Sequence, residues 1–235
     1  MNGTGNPVPR QPFGVHTHRM ADMDAFRDEI ARWAAGAPGG TAGDPAADRA
    51  GDLAAALAAD LGLRTAVLLE GPSDLAAVEA LAAREDRDLT AEGVAVVSMG
   101  GAMSVGRYAG LLGPPGLGLR LTGLCDVREE PFFDRGWQRA RAPRDFFVCV
   151  ADLEDELIRA LGPERVEEVI RSEDELRPWQ TFLGQPAQHG RDRHQQVRRF
   201  LSTKKGRKIR YGRLLVEALP PGRTPAPLAD LLAGL

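Results

Sequence analysis

A chain of 235 residues with 43% hydrophobic side chains can bury one sizeable core, and it reads as one α/β domain with extensions or a domain with a small appendage. The net charge of −3 selects no partner. Only two cysteines, no secretory apolar segment and no apolar run of roughly 18–20 residues argue against a disulfide scaffold and a membrane span, so a cytoplasmic protein with no membrane partner is expected.

Met1 to about Arg19 is rich in Gly, Pro, Asn and Thr without periodicity, and predicts a disordered segment. Residues 20–62 read as N-terminal helices and a linker. Asp22–Ala35 places Met23, Phe26, Ile30 and Trp33 on one stripe, Gly36–Asp44 is a Gly/Pro/Ala linker, and Ala46–Leu61 is an Ala-rich helix ended by Gly62. Residues 63–165 read as the core. Strands are expected at Thr65–Leu69, Val94–Ser98, Leu119–Cys125 and Phe146–Val150, and helices at Leu75–Arg84, Ser104–Leu112, Leu153–Leu161 and Glu164–Arg171. Strands alternating with helical patterns imply parallel βαβ units and an α/β fold. Residues 166–235 read as a basic C-terminal helical region.

Three of these strands end in acid. The first runs into Glu70, with Asp74 after it. The third runs into Asp126, followed by Glu129 and Glu130. The fourth is followed by Asp152-Leu-Glu154-Asp-Glu156. In a parallel sheet such ends share one edge, where α/β folds place ligands. Converging carboxylates repel one another and rise in pKa unless a cation neutralises them. Hard oxygen donors without a matching His/Cys set favour Mg²⁺ or Mn²⁺ over Zn²⁺, and such ions suit phosphate chemistry. Each acid also has a plainer reading. Asp74 and Asp152 are placed to cap helices, and Glu154, Asp155 and Glu156 suit a helix first turn. Glu70 and Asp126 follow apolar strands directly, where a charge without a purpose is costly.

This arrangement resembles the TOPRIM domain of topoisomerases, bacterial primases and OLD-family (overcoming-lysogenization-defect) nucleases. Leu-Leu-Glu70-Gly-Pro-Ser-Asp74 matches its first motif in the OLD form. Leu-Cys-Asp126-Val-Arg-Glu129 stands at its Asp-x-Asp motif. Asp152-Leu-Glu154 resembles a late acidic motif, and Gly206-Arg-Lys208-Ile-Arg-Tyr211 a C-terminal Lys motif. The resemblance spans roughly Arg64 to Leu219 and implies a TOPRIM-like (Rossmann-like) parallel sheet flanked by helices. It implies metal ligation by Glu70, Asp74, Asp126, Glu129, Asp152 and Glu154, and catalytic roles for Glu70 and Lys208. Two departures stand out. Arg128 replaces the second Asp of Asp-x-Asp, with Glu129 one residue later, and no Gly-x-x-x-x-Gly-Lys-Ser/Thr loop is present. The expectation is a standalone TOPRIM protein with two Mg²⁺ or Mn²⁺ ions and no ATP, leaving a homodimer or a separate ATPase partner open.

From Gln185 to Arg213 the chain turns basic, and Asp192 is the only acid among ten Lys and Arg: Arg191, Arg193, Arg198, Arg199, Lys204, Lys205, Arg207, Lys208, Arg210 and Arg213. Cations beside an acidic metal edge suit a phosphate backbone, with DNA the favoured polyanion. Arg198, Arg199, Lys204, Lys205, Arg207 and Arg210 are the candidate contacts, Phe200 and Tyr211 candidate stacking surfaces, and Ser202 and Thr203 candidate phosphate-binding hydroxyls. The plainer reading is a solvated basic helix. The expectations are therefore a Mg²⁺-dependent phosphodiester-processing enzyme, an endonuclease or nicking nuclease. The alternative is a catalytically degenerate TOPRIM module that binds nucleic acid or regulates, which Arg128 favours. A small-molecule phosphotransferase or phosphatase is a third reading.

Overall fold

The computed structural model describes residues 13–36 and 44–235. Residues 1–12 of the expected disordered segment and 37–43 of the expected linker lie outside the described residues. The chain divides into two units, Met1–Gly62 and Leu63–Leu235.

The first unit is a helical pair, α1 (Phe13–Gly36) and α2 (Pro45–Leu61). Helix α1 starts nine residues before the Asp22 read from the sequence, because Pro12 is the last proline of the tail and nothing after it bars helical backbone. Asp44 caps α2, accepting from Ala46 N at 3.0 Å, and Pro45 takes the first helical position. Gly62 closes it in a left-handed conformation (φ 65°), which glycine adopts without steric cost.

The second unit is built on a four-stranded sheet of order β2-β1-β3-β4, all parallel: β1 (Thr65–Leu69), β2 (Val94–Ser98), β3 (Arg120–Asp126) and β4 (Phe147–Cys149). The first two strands lie where the sequence placed them. β3 runs one residue further, so Asp126 is its last residue, and β4 is shorter than read. Between the strands lie α3 (Pro72–Arg84), α4 (Val105–Leu112) and α5 (Glu130–Arg139), and after them α6 (Leu153–Leu161), α7 (Pro163–Ser172), α8 (Leu176–Leu183), α9 (Arg193–Leu201), α10 (Lys205–Glu217) and α11 (Ala226–Ala233). The strands are buried on both faces, as parallel strands must be. Val67, Leu69, Val96 and Leu124 join a core shared with α3 and α6 to α11. The alternate residues Ala66, Leu68, Ala95 and Val97 are equally buried, and α4 packs on β1 and α5 on β3.

The basic C-terminal region is helical, and its apolar side chains belong to this core. Trp179, Phe182 and Phe200 form an aromatic cluster with ring centroids 5.0–5.8 Å apart. Arg84, at the end of α3, donates to the carbonyls of Val216 and Leu219 (2.9 Å for the latter), tying α3 to the C-terminal end of α10.

Candidate metal centre

Glu70 follows the last residue of β1. The chain turns at Gly71 into α3, and Gly71 N donates to Asp74 Oδ2 at 3.0 Å. Asp74 therefore caps its helix, as the plainer reading required. It also lines a cavity of about 140 Å³ with Glu70, Asp126, Asp152, Glu154 and Lys208. The cap and the cavity use one side chain.

Asp126 reaches the same edge from the neighbouring strand. Its carbonyl accepts from Glu129 N at 2.9 Å, closing a tight turn over Val127 and Arg128. That turn folds Glu129 back, and Glu70, Asp126 and Glu129 each offer a carboxylate oxygen within 4.8 Å of the others. A turn and a longer side chain thus bring Glu129 to the cluster although it stands one residue late for Asp-x-Asp. Arg128 is exposed and makes no ion pair among the described residues.

On the other side of the cavity Asp152 caps α6, accepting from Asp155 N at 2.8 Å, while its second oxygen takes the Arg198 guanidinium. Glu154, 6% exposed, holds Lys208 Nζ 3.3 Å from Oε2, and its Oε1 is buried without a partner. Glu129 Oε2 is likewise buried and unpartnered. Asp155 and Glu156 face elsewhere: Asp155 bonds His194 (2.7 Å) and Arg159 (2.8 Å), and Glu156 accepts from Val150 N at 2.8 Å. Glu130 pairs with Arg144 at 2.5 Å.

The electrostatics are those of crowded acids short of positive charge. Burial, reinforced by Asp152 and Glu70, pushes Asp126 up to about 7. Burial pushes Asp74 up to about 6 against the Gly71 hydrogen bond and Lys208. Burial, reinforced by neighbouring Glu70 and Asp126, pushes Glu129 up to about 8. Burial raises Glu154 despite Lys208 beside it. Burial opposes the Lys208 charge, yet Glu154 and Asp74 hold its pKa above the ordinary lysine value. Cys125 lies nearby, but burial pushes its thiol up to about 12, leaving no thiolate for a soft metal. All-oxygen donors, two of them buried and unpartnered, fit a hard divalent cation.

Lys208 owes its position to a missing side chain. Gly212, one turn later on α10, faces α3, and a Cβ there would stand 2.4 Å from the Ser73 carbonyl oxygen. The helix therefore approaches the start of α3 closely, and the residue one turn earlier reaches the cavity.

The rest of the basic segment differs from expectation. Arg207 is no exposed contact: it is 7% exposed, pairs with Glu175 through two bonds of 2.9 and 3.0 Å, and lies 4.0 Å over the Phe200 ring. Phe200 and Tyr211 are buried in the core and cannot stack on bases; the Tyr211 hydroxyl donates to Glu175 at 3.1 Å. Arg210 is also drawn to Glu175, at 3.2 Å. Ser202 and Thr203 donate to the carbonyls of Arg198 and Phe200 at the end of α9. Arg198 serves Asp152. Arg199 and Lys204 are exposed without ion pairs among the described residues; nothing is assigned to the Lys205 side chain. Glu175 escaped the sequence reading, since its partner Arg207 lies 32 residues away and no spacing links them.

Residues 63–127 match the sequence profile of the "Overcoming lysogenization defect protein-like, TOPRIM domain". No curated protein matches the chain. Among solved structures, the C-terminal region of the Burkholderia pseudomallei OLD protein is similar at 21% identity and a TM-score of 0.54, over 73% of this chain and 96% of that one. Two structures of the C-terminal region of the Xanthomonas campestris pv. campestris OLD protein are similar at 25% and 26% identity, with TM-scores of 0.53 and 0.51, over 73% of this chain and 93% of those. The parallel sheet, the acids on its C-terminal edge and the profile match agree: residues 63–127 carry an OLD-like TOPRIM domain.

Proposed function

We propose that the chain is a Mg²⁺- or Mn²⁺-dependent phosphodiester-processing enzyme, an endonuclease or nicking nuclease acting on nucleic acid, with DNA the favoured substrate. The observation that carries this reading is the convergence of Glu70, Asp126 and Glu129 within 4.8 Å, beside a cavity that Glu70 and Asp126 line together with Lys208. Glu70, Asp126 and Glu129 would hold one ion, and Asp74, Asp152 and Glu154 a second. The bound ions would supply Lewis-acid polarisation of the phosphate and acidification of a water. The chain's own residues do the rest. Arg198 fixes Asp152 in place, Glu70 is the group placed to take a proton from the attacking water, and Lys208 presents a charge to the pentavalent phosphate as one ester P–O bond breaks. Exposed Arg199 and Lys204 would hold the flanking backbone.

Nicking of supercoiled plasmid by the full chain with Mg²⁺ or Mn²⁺ tests this. Glu70→Ala and Asp126→Ala should abolish nicking, and Lys208→Met should lower it by about a hundredfold or more, the scale of removing one transition-state charge contact. A wild type that does not nick, or nicking that survives Glu70→Ala, overturns the reading. The degenerate alternative rested on Arg128 standing in for an ion, and Arg128 is exposed with no partner in the cluster.

A further inference from the structure

Away from the acidic edge, α8, the end of α9 and the start of α10 enclose an open groove of about 430 Å³ that includes Arg177, Pro178, Thr181, Phe182, Gln185 and Lys204. Its size falls in the range of small-ligand sites. The floor is apolar, made by the Pro178 ring and by Phe182, which is 6% exposed. The rim is cationic. Arg207 contributes no net charge, being neutralised by Glu175, whereas Arg177 and Lys204 are both exposed and neither has an ion-pair partner among the described residues. Gln185, also exposed, adds an amide that can hydrogen-bond a base edge, and the Thr181 hydroxyl, which donates to the Arg177 carbonyl at 3.0 Å, can still accept from one. Lys204 precedes Lys208 by four residues at the start of α10, so groove and cavity are adjacent stations along one helix.

We propose that this groove binds one unpaired nucleotide of a single-stranded segment flanking the phosphate at the metal centre. The base lies against the exposed Pro178 ring, and its phosphate between Arg177 and Lys204. The inference rests on the nucleic-acid reading above. An apolar floor with unneutralised cations at the rim matches a nucleotide: a flat π-face on one side, a phosphate on the other. A duplex end presents its bases already stacked and paired, and cannot offer one to a groove of this kind.

The test is fluorescence anisotropy of the full chain with a labelled ten-nucleotide oligothymidylate and with an abasic oligomer of the same length, at fixed ionic strength with Ca²⁺. Wild type should bind the oligothymidylate about tenfold more tightly (~1.4 kcal/mol) than the abasic strand. Thr181→Leu, which fills the groove from an exposed position without adding a π-face, should bind both strands equally. Arg177→Ala should weaken both while keeping the preference for bases. Equal binding of the two strands by wild type, or a preference that survives Thr181→Leu, overturns the proposal. Thermal melting confirms that each variant folds. Failure of the nuclease reading shows separately, as absence of plasmid nicking by wild type, and leaves the base preference readable.

Discussion

At Glu129 the structure converts a sequence irregularity into a geometric equivalence. The residue stands one position late for its motif, but the turn closed by Asp126 O and Glu129 N returns it to the cluster. Sequence spacing shows Arg128 where an acid belongs; it does not show that the backbone turns there. Glu70 and Asp126 were legible because a charge directly after a buried strand demands a reason. Arg198 was legible only as a cation, since its partner Asp152 lies 46 residues away. The raised pKa values of Asp74, Asp126 and Glu129 have a direct consequence for stability. Each carboxyl binds its proton more tightly folded than unfolded, so each contributes stability at low pH that is lost as pH rises, from about 4 up through about 6, 7 and 8 respectively. In metal-free buffer, melting temperature should therefore fall between about pH 5 and pH 8, the direction opposite to that set by salt-bridged acids. A divalent ion held by these carboxylates would have to displace those protons, so Mg²⁺ binding there should release protons and stabilise more at pH 8 than at pH 6. Calorimetry in two buffers of different ionisation enthalpy, with melting curves at each pH, checks both; a metal effect independent of pH would count against these carboxylates as ligands.

Helix α10 carries two glycines whose surroundings are opposite. Gly212 faces the Ser73 carbonyl at a distance no Cβ tolerates, whereas Gly206 has nothing within 4 Å of where its Cβ would be. Gly212→Ala should force α10 away from α3, costing about 1–3 kcal/mol as overpacked interfaces do, and should depress nicking because Lys208 rides on the same helix. Gly206→Ala should be neutral or stabilise by up to about 1 kcal/mol. Urea melts and initial nicking rates of the two variants test the pair; equal effects would show that α10 is free to shift. Elements were legible to unequal degrees for physical reasons. β1 and β2 are uninterrupted runs of buried residues between clear breaks, and both were read to the residue. α5 was not assigned, because Phe132, Phe133 and Trp137 stand among charged residues whose purpose, such as Glu130 to Arg144, lies outside the helix. Phe200 and Tyr211 looked like stacking surfaces because they interrupt a basic run. That run is one face of two helices whose other face is core, and the aromatic residues mark the core side.

Residues 63–235 form one unit in which β1 to β4, α3 and α6 to α11 share a hydrophobic core and α4 and α5 pack on β1 and β3, and the clustered acids, Lys208 and the groove all lie within it. A fragment of residues 63–235 should therefore unfold in a single cooperative transition and nick plasmid as the full chain is proposed to; a molten fragment would assign the first unit a role in folding the second. Seen at this scale, the basic segment is mostly spoken for. Of its ten cations, Arg193, Arg198, Arg207, Lys208, Arg210 and Arg213 are each paired with a carboxylate. A cation already paired with a carboxylate neutralises no phosphate and so releases no counterion from the polyanion. Duplex affinity should accordingly fall with salt along a log–log slope of about −3, the release expected from the few unneutralised side chains, and not the slope of about −9 that ten free cations would give. A weak slope would mean that what looks in the sequence like an adhesive for phosphates is chiefly internal scaffolding, and that discrimination between nucleic acids rests on shape and on unpaired bases more than on charge.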